Sequence, residues 1–293
     1  MDNKTPFFSV VIPTYNHAHF MKRCLDSLIN QTYQNWEAII VNNFSEDNTI
    51  QIIEEYSDPR IRLINNANGG IIAVSRNKGI VEANGKWICF LDSDDWWYPN
   101  KLEESIKYLE DYDLIYHNLD KRFSVDTVNG RIKGRYLKKN IGKDLLTNGF
   151  CIPNSSVVVS KKIVDAIGKI NEDKRFVAIE DSDYWMRIAK ITDRFKFIDL
   201  SLGSYWVGEN MSISVKQIDR EICLLNEHKE LLNSEEQKQA LKVLSLRKAR
   251  IYHQLGNFKE ARQEYLISLH HQSIKIKIKS ILGYVLCFFR KKV

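Results

Sequence analysis

The stretch WICFLDSDDWW, residues 87–97, indicates the class of fold. The apolar run WICFL has the length of a buried strand. Three carboxylates, Asp92, Asp94 and Asp95, follow it at once, and two tryptophans come directly after them. Carboxylates this close repel one another unless a positive charge lies among them. The stretch therefore predicts a strand that ends in an acidic loop, and it raises the question of what that loop binds.

The first hundred residues alternate between apolar strands and amphipathic helices. Alternation of this kind, with almost continuously apolar strands, indicates an α/β fold in which a mostly parallel, Rossmann-like sheet is flanked by helices. Ligands of such sheets bind outside the carboxyl ends of the strands. The polar segments PTYN, NNFSEDN and DSDD lie at those ends. Strands are predicted at 8–12, 36–41, 61–64 and 87–91, and helices at 19–31, 46–57, 71–84 and 101–111.

The pattern becomes mixed after residue 102 and helical from about residue 216. We predict a catalytic domain over residues 1–215 and a helical C-terminal region over 216–293. That C-terminal region holds 16 Lys and Arg against 8 Asp and Glu, a basic excess that predicts a partner surface. Within it, residues 249–269 have the spacing of a single helical hairpin. Further elements are predicted as strands at 113–119 and 155–160, a polar excursion at 124–142 and a helix at 180–191.

Composition limits the class of protein further. Of the 293 residues, 44% are hydrophobic, which predicts a folded core. Five cysteines lie far apart without a Cys-x-x-Cys pair, which argues against a disulfide framework or a zinc site and fits a reducing cytosol. The opening MDNKTPFFSVVIP does not have the pattern of a signal peptide. We expect a cytoplasmic protein that binds no nucleic acid.

The acidic loop has more than one interpretation from its residues alone. A solvated turn is one, because Asp is common in turns. A site for a hard cation is another, because Asp92 and Asp94 point the same way on an extended backbone and Mg²⁺ or Mn²⁺ is usually held by one or two carboxylates plus phosphates. An EF-hand is excluded by Trp96 and Trp97, which occupy the positions of a ligand and of the required glycine. A P-loop is excluded because PTYNHAHF has no glycine.

Five motifs occur together in the order and approximate spacing of a known family. They are SVVIPTYN, NNFSEDNT, NGGIIAVSRNKGI, FLDSDDWW and IEDSDYWMRIA. Through them residues 7–215 resemble family 2 glycosyltransferases, which have the GT-A fold of nucleotide-diphospho-sugar transferases. The resemblance implies an inverting enzyme that moves a sugar from a nucleotide-diphospho-sugar, with a UDP-sugar favoured. The implied acceptor is a glycan or a lipid-linked molecule in surface polysaccharide synthesis.

The resemblance gives the acidic loop a role. It implies that Asp94 binds a divalent cation, Mn²⁺ or Mg²⁺, that bridges the diphosphate of the donor. It implies that Asp92 contacts the ribose or assists the metal. Sugar transfer expels a nucleoside diphosphate, and a cation neutralises the charge that develops on it. Asp95 is then a structural acid.

The resemblance also implies a nucleotide site at the other loops. Pro13, Thr14 and Tyr15 follow the first strand, where the family binds the nucleobase. Asn43 takes the place of an acid that contacts the pyrimidine ring, and its carbonyl oxygen can still accept a hydrogen bond from the ring N–H. Arg76 matches an arginine that reaches the base or the phosphates. The alternative for Tyr15 is a half-buried tyrosine in a loop, and the alternative for Arg76 is a helix arginine that faces water.

Glu180 and Asp181 match the catalytic pair of the family, and the motif register implies that Asp181 is the general base. The acceptor hydroxyl must lose its proton as it attacks the anomeric carbon. Acids are also favoured at a helix N-terminus. Glu180, Asp181 and Asp183 all satisfy that rule, so local physics does not choose among them.

Three tryptophans, Trp96, Trp97 and Trp206, are candidate sugar platforms on the acceptor side, although tryptophans more often pack in cores. Trp206 belongs to SYWVGENMSIS, residues 204–214, where the family often has a histidine and this chain has none. No histidine ligand to the metal is therefore predicted.

Two other classes of protein stay open. A nucleotidyltransferase of the same fold usually has a Gly-rich, Arg-containing loop after the first strand, and that loop is missing. The other class is a non-catalytic partner-binding protein. It is favoured because Asn42 and Asn43 stand where the family commonly has acids. The presence of Asp92, Asp94 and Asp181 argues against it.

The C-terminal segment, residues 271–293, has six basic residues and no acid. Its apolar run of nine residues is too short to span a bilayer. We expect an amphipathic helix that lies peripherally on an anionic membrane surface, at the inner face of the cell membrane. The alternative is a terminal helix that packs its apolar face on the catalytic domain and leaves the lysines in water.

Overall fold

Strands that are buried on both faces build the centre of the fold. The computed structural model describes residues 5–208 and 214–289. Every residue of the first two strands is buried, as expected for a sheet that is covered on both sides. The strands are β1 (Phe8–Thr14), β2 (Trp36–Asn42), β3 (Ile61–Asn65), β4 (Trp87–Phe90), β5 (Trp96–Trp97), β6 (Leu114–Arg122), β7 (Arg131–Ile132), β8 (Val158–Ser160) and β9 (Phe195–Trp206).

The helices of the first hundred residues alternate with the strands as predicted, and α2 and α4 are shorter than predicted. The helices are α1 (Ala18–Ile29), α2 (Thr49–Glu54), α3 (Ile72–Glu82), α4 (Lys101–Ile106), α5 (Ile141–Asn148), α6 (Lys161–Ile167), α7 (Glu180–Ala189), α8 (Val215–His228), α9 (Ser234–Leu255), α10 (Phe258–Ser268) and α11 (Ile274–Phe288).

The sheet is parallel in one half and mixed in the other. Its strand order is β3-β2-β1-β4-β8-β6-β9-β5, and β7 pairs with β6. Strands β1 to β4 are parallel, β8 is antiparallel to both of its neighbours, and β6 and β9 are parallel. The predicted α/β fold, with a mostly parallel sheet, flanking helices and a helical C-terminal region, is confirmed.

A glycine brings α3 close to the sheet. A Cβ atom at Gly79 would overlap the side chain of Val11 on β1, so only glycine permits this approach of helix and strand. Arg76 lies one turn before Gly79 on the same helix and is 4% exposed. Close packing of α3 therefore positions Arg76 towards the carboxyl ends of the central strands.

The chain divides into two compact units, while the catalytic domain over residues 1–215 and the helical C-terminal region over 216–293 stay predictions. The first unit holds residues 1–136, 151–172 and 191–208 and contains the whole sheet. The second unit adds residues 137–150 and 173–190 to the C-terminal helices. The reason lies in side-chain packing, because α5 and α7 carry apolar and charged groups that pair with α8 and α9.

An ion pair and a side-chain hydrogen bond show how these earlier segments join the C-terminal helices. Lys143 on α5 pairs with Glu236 on α9 at 3.1 Å. Asp183 on α7 lies 2.9 Å from Nε2 of His228 on α8. The predicted hairpin over 249–269 is present as α9 and α10, and Gly256 ends α9 with φ at 83°.

Candidate functional site

The polar loops after β1, β2 and β3 meet at one edge of the sheet. Asn42, at the end of β2, donates from its amide to Oδ1 of Asn65 on β3 at 2.8 Å. The backbone N–H of Asn43 donates to the carbonyl oxygen of Thr14 on β1 at 2.9 Å. The loop after β4 reaches the same edge, because Nδ1 of His17 lies 2.7 Å from the hydroxyl of Ser93. The predicted convergence of loops is therefore present.

The two asparagines after β2 have different surroundings. Asn42 is fully buried, and its Oδ1 accepts from the N–H and hydroxyl of Ser45, so it organises the loop. Asn43 is half-buried, and its Oδ1 accepts from the backbone N–H of Asn68 at 2.9 Å. A backbone N–H can only donate, so the amide orientation of Asn43 is fixed. Among the described residues no other group bonds to this side chain, so one lone pair of Oδ1 and the amide group can meet a ligand.

Asp92 is tied to α3 and to the turn before β8. Its Oδ1 accepts from Nη2 of Arg76 at 2.7 Å and from the amide of Asn154 at 3.1 Å. The Arg76 side chain is 5% exposed and that of Asp92 is 27% exposed. Arg76 is thus a buried partner of Asp92 rather than a solvated arginine. Within the described residues no donor reaches the other oxygen of Asp92.

Asp94 sits in an environment that disfavours its charge. Burial and the neighbouring charge of Asp92 raise the pKa of Asp94 to about 6, although Arg23 and Arg76 oppose the rise. A cation between the two carboxylates would relieve both effects. The residues therefore fit a divalent cation with oxygen ligands.

The acidic loop does not form a complete cage. In the part of the chain that the structure describes, no group of three or more His, Cys, Asp or Glu side chains is arranged to hold a metal ion. Mg²⁺ commonly binds through one or two carboxylates and the phosphates of a substrate. The donor set of Asp92 and Asp94 matches that mode of binding, in which a diphosphate supplies the remaining oxygens.

Asp95 has a structural role. It is 1% exposed, and its two oxygens accept from the hydroxyl of Ser155 at 2.5 Å and from the backbone N–H of Trp206 at 2.9 Å. Burial, together with the charges of Asp92 and Asp94, raises its pKa. Asp95 therefore connects the acidic loop to β9 and to the turn before β8, connections that the sequence did not reveal.

The residues after β1 differ in exposure. Pro13 is buried, and Thr14 is 5% exposed with a buried hydroxyl that has no hydrogen-bond partner among the described residues. Tyr15 is 48% exposed, so its ring is open to a ligand. A buried hydroxyl without a partner costs about 1–3 kcal/mol, which a polar ligand at this edge would recover.

The three candidate tryptophans separate into a buried one and two partly exposed ones. Trp97 is 2% exposed, and its indole N–H donates to the carbonyl of Ser155 at 2.7 Å, so it belongs to the core. Trp96 and Trp206 are half-buried, with ring centroids 6.5 Å apart. The prediction of an acceptor-side platform therefore narrows to Trp96 and Trp206.

Arg23 on α1 completes this aromatic cluster, and sequence reasoning missed it. Its guanidinium carbon lies 3.9 Å from the ring of Trp96 and 4.8 Å from that of Trp206. It also donates to the backbone oxygen of Asp94 at 3.0 Å. Little in the sequence indicated that Arg23 belongs to this cluster, because an arginine on an amphipathic helix usually faces water. His17 was missed too, although it directly precedes α1.

The second unit places Glu180, Asp181 and Asp183 in the first turn of α7. Asp183 is 1% exposed and bonded to Arg187 Nε at 3.0 Å and to His228, so both of its oxygens are used. Glu180 is 5% exposed, and Asp181 is half-buried with Oδ1 accepting from the N–H of Ser182. Asp183 is thereby assigned to the packing of α7. The roles of Glu180 and Asp181 stay predictions.

The loop at 204–214 is described only in part. Trp206 ends β9, and residues 209–213 lie outside the described residues. What we predicted from the sequence for the rest of this loop therefore stays a prediction.

Comparison with known proteins identifies the family. The model of glycosyl transferase family 2 matches residues 9–168, more than half of the chain. The chain therefore belongs to glycosyltransferase family 2, and the resemblance of its motifs is confirmed.

A curated relative shares part of the sequence. The UDP-Glc:alpha-D-GlcNAc-diphosphoundecaprenol beta-1,3-glucosyltransferase WfgD of Escherichia coli is 41% identical over 101 residues, which are 34% of this chain and 40% of that protein. The matched region spans 36% to 40% of the length of WfgD and two other curated relatives.

Two solved structures share the fold. A mannosyltransferase of Pyrobaculum calidifontis in complex with GDP-Man and Mn²⁺ has a TM-score of 0.60 and 15% identity, covering 98% of this chain and 81% of its own. TarS of S. aureus in complex with UDP-GlcNAc has a TM-score of 0.59 and 18% identity, covering 96% and 90%. These similarities establish the GT-A fold.

Proposed function

We propose that this chain is an inverting glycosyltransferase that moves a sugar from a nucleotide-diphospho-sugar, a UDP-sugar by preference, to a glycan or lipid-linked acceptor in surface polysaccharide synthesis. The observation that carries the proposal is the pair of carboxylates, Asp92 and Asp94, at the carboxyl end of β4, with Arg76 buried against Asp92. Relatives support it, because WfgD is named for a UDP-Glc donor and a diphosphoundecaprenol-linked acceptor. An acceptor of this kind would place the transfer reaction at the inner face of the cell membrane.

Asp94, assisted by Asp92, would hold the divalent cation, Mn²⁺ or Mg²⁺. When bound, the cation neutralises negative charge on the departing diphosphate. The Mn²⁺ in the Pyrobaculum mannosyltransferase complex supports a divalent ion in this fold. Arg76 holds Asp92 in place through the 2.7 Å ion pair and brings a second positive charge to the donor site.

The donor nucleotide would bind at the loops after β1 and β2. Tyr15 offers an exposed ring for the base, and Thr14 offers a buried hydroxyl without a described partner. Asn43 can accept from the N–H of a pyrimidine through the remaining lone pair of Oδ1 and can donate through its amide. Pro13 fixes the backbone direction at this point, because its ring restricts φ.

Asp181 would act as the general base that takes the proton of the acceptor hydroxyl, and Glu180 is the other candidate for that role. A single displacement needs one base and no protein nucleophile. Asp183 is unsuited to the role, because Arg187 and His228 already occupy its oxygens. On the acceptor side, Trp96 and Trp206 would contact the sugar rings.

Thermal unfolding in the presence of nucleotide sugars tests the proposal. A ligand that binds only the native state at about 100 times its Kd adds about 2.7 kcal/mol to the free energy of unfolding. We expect one UDP-sugar to raise Tm by about 5 °C when Mn²⁺ is present and by much less in EDTA. No shift with any UDP-, GDP-, dTDP- or CMP-sugar would contradict the proposal, and a Mn²⁺-dependent shift with a plain nucleoside triphosphate alone would favour a nucleotidyltransferase.

A further inference from the structure

Helix α11 buries three small residues and one isoleucine, and it exposes most of its large side chains. Its buried positions are Ile276, Ser280, Gly283 and Cys287, which recur at helical spacing and form one face. The hydroxyl of Ser280 lies 2.7 Å from a serine hydroxyl of α10, and Gly283 lies against the ring of Tyr265. Helix α11 packs on α10 through this narrow face.

The opposite face of α11 is apolar and open to water. At 100° per residue six large residues of α11, together with Phe289 directly after it, fall within an arc of about 120° that is centred away from the buried positions. A helix with water as its only neighbour on that side would carry polar residues there. We call these residues, which are 45% to 74% exposed, the outer face: Ile274, Ile278, Ile281, Leu282, Val285, Phe288 and Phe289.

Lysines border the outer face on both sides. By the same helical geometry Lys277 falls beside one edge, and Lys275 and Lys279 fall beside the other. All three are exposed. The sequence adds three more basic residues at 290–292, outside the described residues, and contains no acid after Glu264. An apolar stripe between cationic borders therefore faces outward.

The outer face continues onto α10. The guanidinium of Arg262 lies 4.8 Å from the ring of Phe288. Leu266 comes one turn later on the same face of α10 as Arg262, and it is 46% exposed. The apolar surface is therefore wider than one helix, and Arg262 adds another positive charge at its border.

Charge complementarity distinguishes between the partners that such a surface fits. A second copy of this chain, docked about a two-fold axis, would bring the same lysines together, and α11 carries no acid to pair with them. An anionic lipid surface accepts the apolar stripe among its acyl chains while its headgroups pair with the bordering lysines. No described helix is long and apolar enough to cross a membrane.

We propose that the outer face of α11 is a membrane-docking surface that lies in the headgroup region of an anionic bilayer. The apolar residues enter the bilayer, and the lysines at both borders contact the headgroups. The proposal goes beyond glycosyl transfer, because it uses no residue of the donor site and stands on the exposure pattern of the C-terminal helices alone.

Co-sedimentation of the full chain with vesicles tests the proposal. Vesicles of phosphatidylcholine and phosphatidylglycerol at 3:1 are compared with vesicles of phosphatidylcholine alone. Leu282→Asp should weaken binding at least tenfold, because it removes a leucine from the apolar arc and adds a repelled charge. Its matched control is Leu241→Asp, at a residue of α9 that is 53% exposed and lies outside the outer face; this variant should bind within about threefold of wild type.

The charge contribution is tested separately. Each basic residue near an anionic surface contributes about fivefold to binding, so replacing Lys275, Lys277 and Lys279 together by Gln should weaken binding by about 100-fold. A control that replaces the exposed Lys216, Lys238 and Lys259 by Gln should have a much smaller effect. Binding should also fall as salt is raised, and Tm should not change, because all of these side chains are exposed.

Three results would overturn the proposal. They are no binding of wild type to the anionic vesicles, equal binding to both vesicle types, and equal loss in the matched controls. A dimer in light scattering that Leu282→Asp dissociates, without vesicle binding, would assign the outer face to a second copy instead. Asp94→Ala should bind vesicles like wild type, so that failure of the transfer chemistry and failure of membrane docking are told apart.

Discussion

The three carboxylates in the first turn of α7 look alike in the sequence but have different bonding partners in the structure. Asp183 holds α7 to α8 through His228 and is itself bound by Arg187. Glu180 and Asp181 remain as candidates for the base, and only the motif register favours Asp181. A substitution that removes the ability to take a proton, but keeps shape and hydrogen bonding, separates the two.

Asp181→Asn should keep donor affinity and lose transfer by about 100-fold or more, the effect expected when a general base is lost. Steady-state kinetics of transfer, with donor binding measured by calorimetry, checks this. Asp219→Asn, at an exposed position on α8, is the matched control and should behave like wild type. Near-normal transfer by Asp181→Asn together with an inactive Glu180→Gln would assign the base to Glu180.

At the scale of elements, the structure agrees best with the sequence where local pattern and burial coincide. Strands β1, β2 and β4 are mostly buried apolar runs and β3 is a partly buried edge strand, and all four were predicted within one or two residues. Strand β9 was missed, because the register between β6 and β9 shifts near Asn118. Such a shift breaks the alternation by which a half-buried strand is recognised. Helix α5 was also hard to recognise in the sequence, because it contains Gly142 and glycine has low helix propensity.

Helix α4 carries a buried charge that its sequence did not reveal. Lys101, its first residue, is 0% exposed, and its ammonium lies 3.6 Å from the centroid of the Trp97 ring. Burial lowers the pKa of Lys101 from 10.5 to about 8, and the nearby Cys89 opposes the shift only in part. A positive charge at a helix N-terminus also opposes the helix dipole.

Lys101→Met should therefore stabilise the protein at pH 7, by up to about 3 kcal/mol at 1.36 kcal/mol per pKa unit. Below pH 8 both folded and unfolded states bind the proton, so the cost of burial is present in full. Between pH 8 and 10.5 only the unfolded state binds it, so the free energy of unfolding of the wild type rises with pH. In Lys101→Met this rise should be absent.

Urea unfolding between pH 7 and 10 measures both effects. Lys107→Met, at an exposed lysine just after α4, is the control and should change neither the stability at pH 7 nor its pH dependence by much. A Lys101→Met protein that is less stable than wild type at pH 7 would show that the contact with Trp97 outweighs the cost of burying the charge.

At the scale of the whole molecule, the sequence predicted which loops meet at one edge of the sheet, where we propose the donor site, and missed how these loops are held together. Asp92, Asp94, Asn43 and Thr14 follow strands, so their common edge follows from parallel topology. The support from Ser155 and Trp206 could not be predicted, because these residues join the loop only through strands distant in sequence. The grouping of α5 and α7 with the C-terminal helices could not be predicted for the same reason, since they pack with helices far along the chain.

The measurement that most directly tests the central claim is metal-dependent turnover of the donor. The UDP-sugar that gives the largest thermal shift is incubated with the protein, and release of UDP is followed with Mn²⁺, with EDTA, and in the Asp94→Ala and Asp126→Ala variants. We predict turnover with Mn²⁺ in wild type and in Asp126→Ala, whose substitution lies in an exposed loop. We predict loss of turnover in EDTA and in a folded Asp94→Ala protein. Full activity of Asp94→Ala would contradict the account.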